Sequence, residues 1–384
     1  MRRRTVLLLG HLDADDCPAR DVVRRSGAVP LGVEHWDRVR DLFSREDVLA
    51  VVFPADLDGF EELCLEVRSN LGREDLPLIA VVDSTWDPLL ERLFMFSIDD
   101  FVTADGFDVL ESKLLGLGRD DVFPALGPDA GRVVVADSNG PRRVLFGRTL
   151  RRKGLAVDFA IDSGEAARAA ARPETRLILA SADLPPGGAL AALREVQAGG
   201  GHPATLPWIV CGTAEQLEAF DAEPFPALRL INDDDPPESA LFLVNELLAP
   251  PPSDARRSAR LLYGGPGVFR IVGGTLTVPT FTYNINRTGV YLRTLVPPAV
   301  GAELVVDFRP PFGEGQVRVH GRVVWRKECS QQGGPVVPAG MGIIYTKVPL
   351  ADGAALDAGY EALLRAAPGQ RTSGTDEVAR DPEV

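Results

Sequence analysis

Apolar residues follow two different rhythms along this chain, and the change between them divides it. In the first two thirds, short unbroken apolar runs alternate with longer amphipathic stretches. Residues 5–10 form the first run, and 21–25 lie in the helix after it. Residues 48–53 are the next run, followed by a helix over 60–71 and a third run over 76–82. A helix over 91–96, a short strand over 101–103 and a helix over 107–117 close the unit. Runs of Val, Leu and Ile without polar alternation indicate strands covered on both faces, as in a parallel sheet.

The pattern then starts again. Residues 1–118 form the first unit, and 119–131, with Pro124, Gly127 and Pro128, read as a linker. A second unit over 132–248 has strands at 132–136, 156–160, 177–180, 208–211 and 227–231. Its helices fall at 141–153, 164–171, 189–197, 214–220 and 238–248, so the architecture is repeated. A proline-rich linker over 249–255 follows, with three consecutive prolines that favour an extended spacer.

Beyond the linker the period drops to two. Val317, Val319, Gly321, Val323 and Trp325 share one face of a strand, while Arg318, His320, Arg322 and Arg326 share the other. Similar short strands at 289–294, 300–308 and 340–346 predict an antiparallel barrel over 256–366, with a terminal helix at 352–366. Trp325 is expected in its core. Residues 367–384 are polar and expected to be disordered.

Composition narrows the function. The four cysteines (Cys17, Cys64, Cys211, Cys329) have no paired spacing, which argues against a disulfide framework or a zinc site and for a reducing compartment. None of the four histidines (His11, His35, His202, His320) sits near a second likely metal ligand. The apolar run after Arg4 is too short for a signal peptide, and no run approaches the roughly 18 residues of a membrane span. A cytoplasmic location is the expectation. Net charge is −14, yet residues 254–365 hold 13 Lys and Arg against 8 Asp and Glu. A basic module on an acidic body suits a small anionic ligand better than long DNA or RNA.

The second unit resembles a two-component receiver domain. The resemblance lies in Arg132-Val-Val-Val-Ala-Asp-Ser-Asn139 and Leu177-Ile-Leu-Ala-Ser-Ala-Asp-Leu-Pro185. Ala50-Val-Val-Phe-Pro-Ala-Asp-Leu-Asp-Gly59 and Ile98-Asp-Asp-Phe-Val-Thr103 carry it more weakly in the first unit. It implies two doubly wound, flavodoxin-like α/β domains. It also implies an acidic pair for magnesium, a phospho-acceptor aspartate and a lysine. Here Asp137 keeps one acid, Ser138 replaces the other, Ser181 holds the acceptor position and Asp233 falls near the lysine. In the first unit Gly10 and His11 stand near the acidic pair, Pro54 ends the acceptor strand and Ala104 holds the lysine place. Asp56, Asp58 and Asp183 read as turn formers. No phosphorylation and no metal are expected of these pseudo-receivers, which instead present surfaces to partner proteins.

The last unit begins with Arg256-Arg257-Ser258-Ala259-Arg260, and Asn284-Ile285-Asn286-Arg287-Thr288-Gly289 follows. Guanidinium forks bind phosphate oxygens bidentately and stack on purines, and amides two apart on a strand share a face toward a base edge. With Gly321-Arg-Val-Val-Trp-Arg326 and Gly340-Met-Gly-Ile-Ile344, these segments resemble a PilZ domain, a bacterial receptor for cyclic di-GMP. Arg256 and Arg260 match that family's RxxxR, and Asn284 and Gly289 match its (D/N)xSxxG, with Asn286 where the family has serine. The resemblance implies that Arg256, Arg257 and Arg260 clamp phosphate and stack on guanine while Asn284 and Asn286 read the base. With no nucleophile–base pair or phosphate loop, the chain reads as a non-catalytic effector that relays cyclic di-GMP to protein partners. The alternative is a scaffold that has lost the nucleotide, in motility or polarity for instance.

Overall fold

The computed structural model describes residues 4–43, 47–69, 76–117, 132–152, 155–198, 206–220, 227–233, 235, 237–248, 258–329 and 337–366. Strands β1 (Thr5–Leu9), β2 (Val29–Val33), β3 (Val48–Pro54), β4 (Leu78–Val82) and β5 (Asp100–Thr103) form a parallel sheet in the order β2-β1-β3-β4-β5. Helices α1 (Pro18–Arg25), α2 (Val39–Phe43), α3 (Phe60–Ser69), α4 (Leu89–Met95) and α5 (Phe107–Leu117) join them. Every residue of β1 and β4 is buried, which is why those runs show no polar alternation. The apolar rhythm gave no sign of β2. It contains Pro30 and Gly32, and both are tolerated because β2 lies at the sheet edge.

The second sheet repeats the plan. Its strands are β6 (Arg132–Ala136), β7 (Ala156–Ala160), β8 (Thr175–Ser181), β9 (Trp208–Gly212) and β10 (Leu228–Asn232), parallel in the order β7-β6-β8-β9-β10. Its helices are α6 (Gly140–Arg152), α7 (Ser163–Ala170), α8 (Gly188–Ala198), α9 (Ala214–Glu218) and α10 (Pro237–Leu248). Within each copy the second strand lies outside the first and the others follow on the far side. This is the flavodoxin-like doubly wound order.

The rest is antiparallel: β11 (Leu261–Leu262), β12 (Pro266–Ile271), β13 (Val278–Asn286), β14 (Gly289–Arg293), β15 (Glu303–Phe308), β16 (Val317–Lys327) and β17 (Gly340–Lys347), then α11 (Leu350–Ala366). Six strands close a ring in the order β13-β12-β15-β16-β17-β14, with β14 returning to β13, and β11 adds to the free stretch of β13. Alternation along β16 holds through Val323. A register shift between Val323 and Trp325 then changes the phase. Trp325 is therefore only half-buried, against Tyr291 at 5.7 Å, instead of in the barrel core.

The barrel sits on the first α/β domain through a buried set of charges. Lys113 of α5 is fully buried. Its Nζ lies 2.6 Å from Asp100 Oδ2 and donates to the Pro279 carbonyl of β13 at 3.1 Å. Asp100 Oδ2 also accepts from the Leu295 amide at 2.8 Å and the Thr294 hydroxyl at 3.2 Å. Arg293 of β14 reaches Asp99 Oδ1 at 3.1 Å. Desolvation pushes the Lys113 ammonium below its ordinary range, against the opposing pull of Asp100.

Aromatic rings extend the contact. Phe281 of β13 packs on Phe101 at 4.8 Å and Phe94 at 5.8 Å, while Tyr283 meets Phe242 of α10 at 6.4 Å. Gly264 lets Phe94 approach the backbone, since a Cβ there would lie 2.1 Å from the ring. Lys113→Met leaves Asp100 as a buried carboxylate without its cation and is expected to destabilise the protein by about 3–5 kcal/mol. Urea denaturation followed by tryptophan fluorescence measures this, and adding Asp100→Asn should restore most of the loss. No recovery in the double variant would mean that packing, not charge, accounts for it.

Candidate functional site

Two places gather polar side chains: the turn between β13 and β14, and the carboxyl end of the second parallel sheet. At the turn, β11 pairs Leu261 with Ile285 and Leu262 with Asn284. Continuing that register by one residue sets Arg260 opposite Asn286, and Asn286 pairs with Gly289 across the hairpin. The fold thus brings Arg260 to the Asn284–Gly289 segment. Arg256 and Arg257 lie outside the described residues.

The predicted residues that are described each have a defined surrounding. Arg260 is exposed and Asn284 is buried beneath the lead-in strand. Asn286 Oδ1 accepts from the Thr288 amide at 3.0 Å and from its hydroxyl at 3.3 Å, so this oxygen caps the turn. Gly289 is a packing residue here. A Cβ on it would lie 2.3 Å from the Ile343 carbonyl oxygen of β17.

Sequence reasoning passed over Arg287, the central residue of the turn. Its amide donates to Ser258 Oγ at 3.3 Å, its side chain pairs with Asp357 at 3.3 Å and with Glu361, and its guanidinium lies 5.0 Å over the Tyr360 ring. The available signal was the helical spacing of Asp357 and Glu361, four apart on one face beside Tyr360.

At the second place, Asp137 follows β6, Ser181 ends β8 and Asp233 follows β10. They meet at the carboxyl edge where doubly wound sheets place their sites. Arg142, from the first turn of α6, places its guanidinium among them, and Arg143 donates to the Asp137 carbonyl. The Arg142 Nε and Nη2 fork onto Asp137 at 2.5 and 3.2 Å, and Nη2 also donates to Ser181 Oγ at 2.7 Å. Asp183 lies 3.6 Å from the guanidinium and Asp233 3.7 Å from it. Asp183 is more than a turn former, because the Ser181 hydroxyl donates to it and returns it to the cluster. The hydrogen bond to Asp137 holds the Arg142 guanidinium above its ordinary range, and burial pushes the neighbouring Cys211 thiol up to about 12.

This pocket does not suit the divalent ion that the receiver resemblance implies. One acid of the pair is Ser138, the acceptor position is a hydroxyl, and a guanidinium covers the carboxylate that remains. Among the described residues no three His, Cys, Asp or Glu side chains are placed to hold a metal. In the first domain Gly10 sits against Pro54 where the pocket would be, and Asp56 and Asp58 are exposed in turns.

The arrangement defines a class: two doubly wound α/β domains carrying a closed antiparallel barrel whose hairpin turn meets Arg260. Residues 254–361 match the family model described as "PilZ domain", and this part of the chain is a PilZ domain. No curated protein matches the chain. Among solved structures it is similar to a protein described as a two-component system response regulator/GGDEF domain protein, at 17% identity over 64% of this chain and 98% of that one, TM-score 0.32. It is also similar to the receiver domain of a sensor histidine kinase from Pseudomonas aeruginosa PAO1, at 18% identity over 31% of this chain and 97% of that one, TM-score 0.27. The PilZ domain of YcgR from Escherichia coli, with c-di-GMP, is 13% identical over 30% of this chain and 95% of that one, TM-score 0.24.

Replacing Arg142 tests the filled pocket. Arg142→Ala strips the buried Asp137 of its fork and is expected to cost about 2–3 kcal/mol, the scale of hydrogen bonds to charged groups. Arg142→Lys should recover only part, because an ammonium is not a planar fork. Thermal melts of the three proteins read this directly, and full recovery by lysine would show that charge alone matters.

Proposed function

We propose that this chain is a non-catalytic signalling effector in which the PilZ domain binds cyclic di-GMP and the two receiver-like domains pass the change to protein partners. The boundaries are those of the sequence: α/β domains over 1–118 and 132–248, linkers over 119–131 and 249–255, and a barrel over 256–366. The supporting observation is the register that sets Arg260 beside the turn carrying Asn286 and Arg287, inside a family-matched domain. Guanidinium groups from Arg260 and from the adjacent Arg256 and Arg257 supply the bidentate chemistry that a diester phosphate needs. Asn284 and Asn286 supply the amides for a guanine edge. The filled Arg142 pocket fits a domain that neither takes up a phosphoryl group nor holds a metal, so the nucleotide is the input. Among the described residues no helix is long and apolar enough to cross a membrane.

A second reading, a scaffold without nucleotide, draws on one observation: the Asn286 oxygen and the Arg287 fork already have partners within the chain. Calorimetric titration of the full chain with cyclic di-GMP separates the two. The effector reading expects micromolar or tighter binding that Arg260→Ala weakens by about tenfold or more, the loss of one charge-assisted fork. No heat from a folded protein removes it and leaves the scaffold.

A further inference from the structure

One face of α11 touches both halves of the barrel mouth. Asp357, Tyr360 and Glu361 are spaced three and four residues apart, so they share that face. Tyr360 is buried, and its hydroxyl donates to the Ala259 carbonyl at 2.9 Å, between Ser258 and Arg260 of the basic lead-in. Its ring lies beneath the Arg287 guanidinium at 5.0 Å. Asp357, at 3.3 Å, and Glu361 pair with that guanidinium. The lead-in is tied back to the same residue, since the Arg287 amide donates to Ser258 Oγ.

We infer that Arg287 is a further phosphate-binding residue of the cyclic dinucleotide site, and that Asp357 and Glu361 occupy its fork until the ligand arrives. This rests on the nucleotide reading above. Arg287 sits within the Asn284–Gly289 segment, one residue from Asn286 and against the lead-in that carries Arg260. A phosphate reaching Arg260 therefore comes within the field of Arg287. The Nη1 and Nη2 edge that a phosphate oxygen pair would take already faces the two carboxylates. The carboxylates are also repulsive to the anion if they stay.

The exposure of the pairs makes the exchange feasible. Arg287 is 43% exposed in its side chain, Asp357 67% and Glu361 45%, so each contact is a solvated surface pair that a bidentate phosphate can displace. Displacement removes two of the contacts that hold α11 against the mouth, while Tyr360 keeps the helix attached through Ala259. Ligand binding thus loosens the C-terminal half of α11.

Titration of the full chain with cyclic di-GMP tests this on four proteins: the unmodified chain, Asp357→Asn/Glu361→Gln, Arg287→Gln, and all three changes together. The carboxamide pair should bind about 3- to 30-fold tighter than the unmodified chain, the scale of two weak surface pairs. That gain should vanish when Arg287→Gln is also present, because the carboxylates act through Arg287. Backbone amides of 357–366 should exchange faster once ligand is bound. If the carboxamide pair binds no tighter while Arg260→Ala still weakens binding, α11 is no competitor and the nucleotide reading stands. If a gain persists without Arg287, the helix acts by general repulsion and the assignment to Arg287 is wrong. If none of the four folded proteins gives heat, both readings fall.

Discussion

Everything about how this protein is assembled depends on one buried ammonium. Lys113 projects from α5 of the first α/β domain and ends between the Asp100 carboxylate and the Pro279 carbonyl of the barrel. Taking an ammonium and a carboxylate out of water costs several kcal/mol for each ion unless further hydrogen bonds satisfy them. The barrel provides these through Leu295 and Thr294, so the pair is fully served only when the two domains are docked. The geometry of docking is therefore specified by polar groups. The area is supplied by Phe94, Phe101 and Phe281 packed around them.

The hairpin of β13 and β14 carries this constraint to the mouth. One end of it, from Pro279 to Tyr283 and from Tyr291 to Leu295, lies in the domain junction. The other end is the turn of Asn286, Arg287, Thr288 and Gly289. A displacement of the turn has a short stiff path to Lys113, and through Tyr283 to Phe242 of the second α/β domain. In this layout the barrel is the place where all three domains meet.

In the second α/β domain carboxylates gather at the carboxyl edge of the sheet. The carboxylates left at the ends of β6 and β10 remain close together and repel one another. Arg142 is the local answer, a cation that is part of the chain and always present. The charge reversal at Asp233 is tolerable for the same reason. Arg142 offsets part of the charge of Asp137, Asp183 and Asp233 and ties the ends of β6, β8 and β10 together.

Much of the architecture was legible in the residues alone. Unbroken runs such as 133–136 and 76–82 are buried on both faces, so local pattern sufficed for the two parallel sheets. The period of two in β16 sufficed for the barrel face up to Val323, as did Pro30 and Gly32 for hiding β2. The pairs of the mouth and pocket were decided otherwise. Arg142 and Asp233 are 91 positions apart and Lys113 and Pro279 are 166 apart. No spacing rule links such residues. Charge complementarity acts only after the sheets have formed and, at the junction, after the domains have met, and so the contacts it selects belong to the tertiary structure alone.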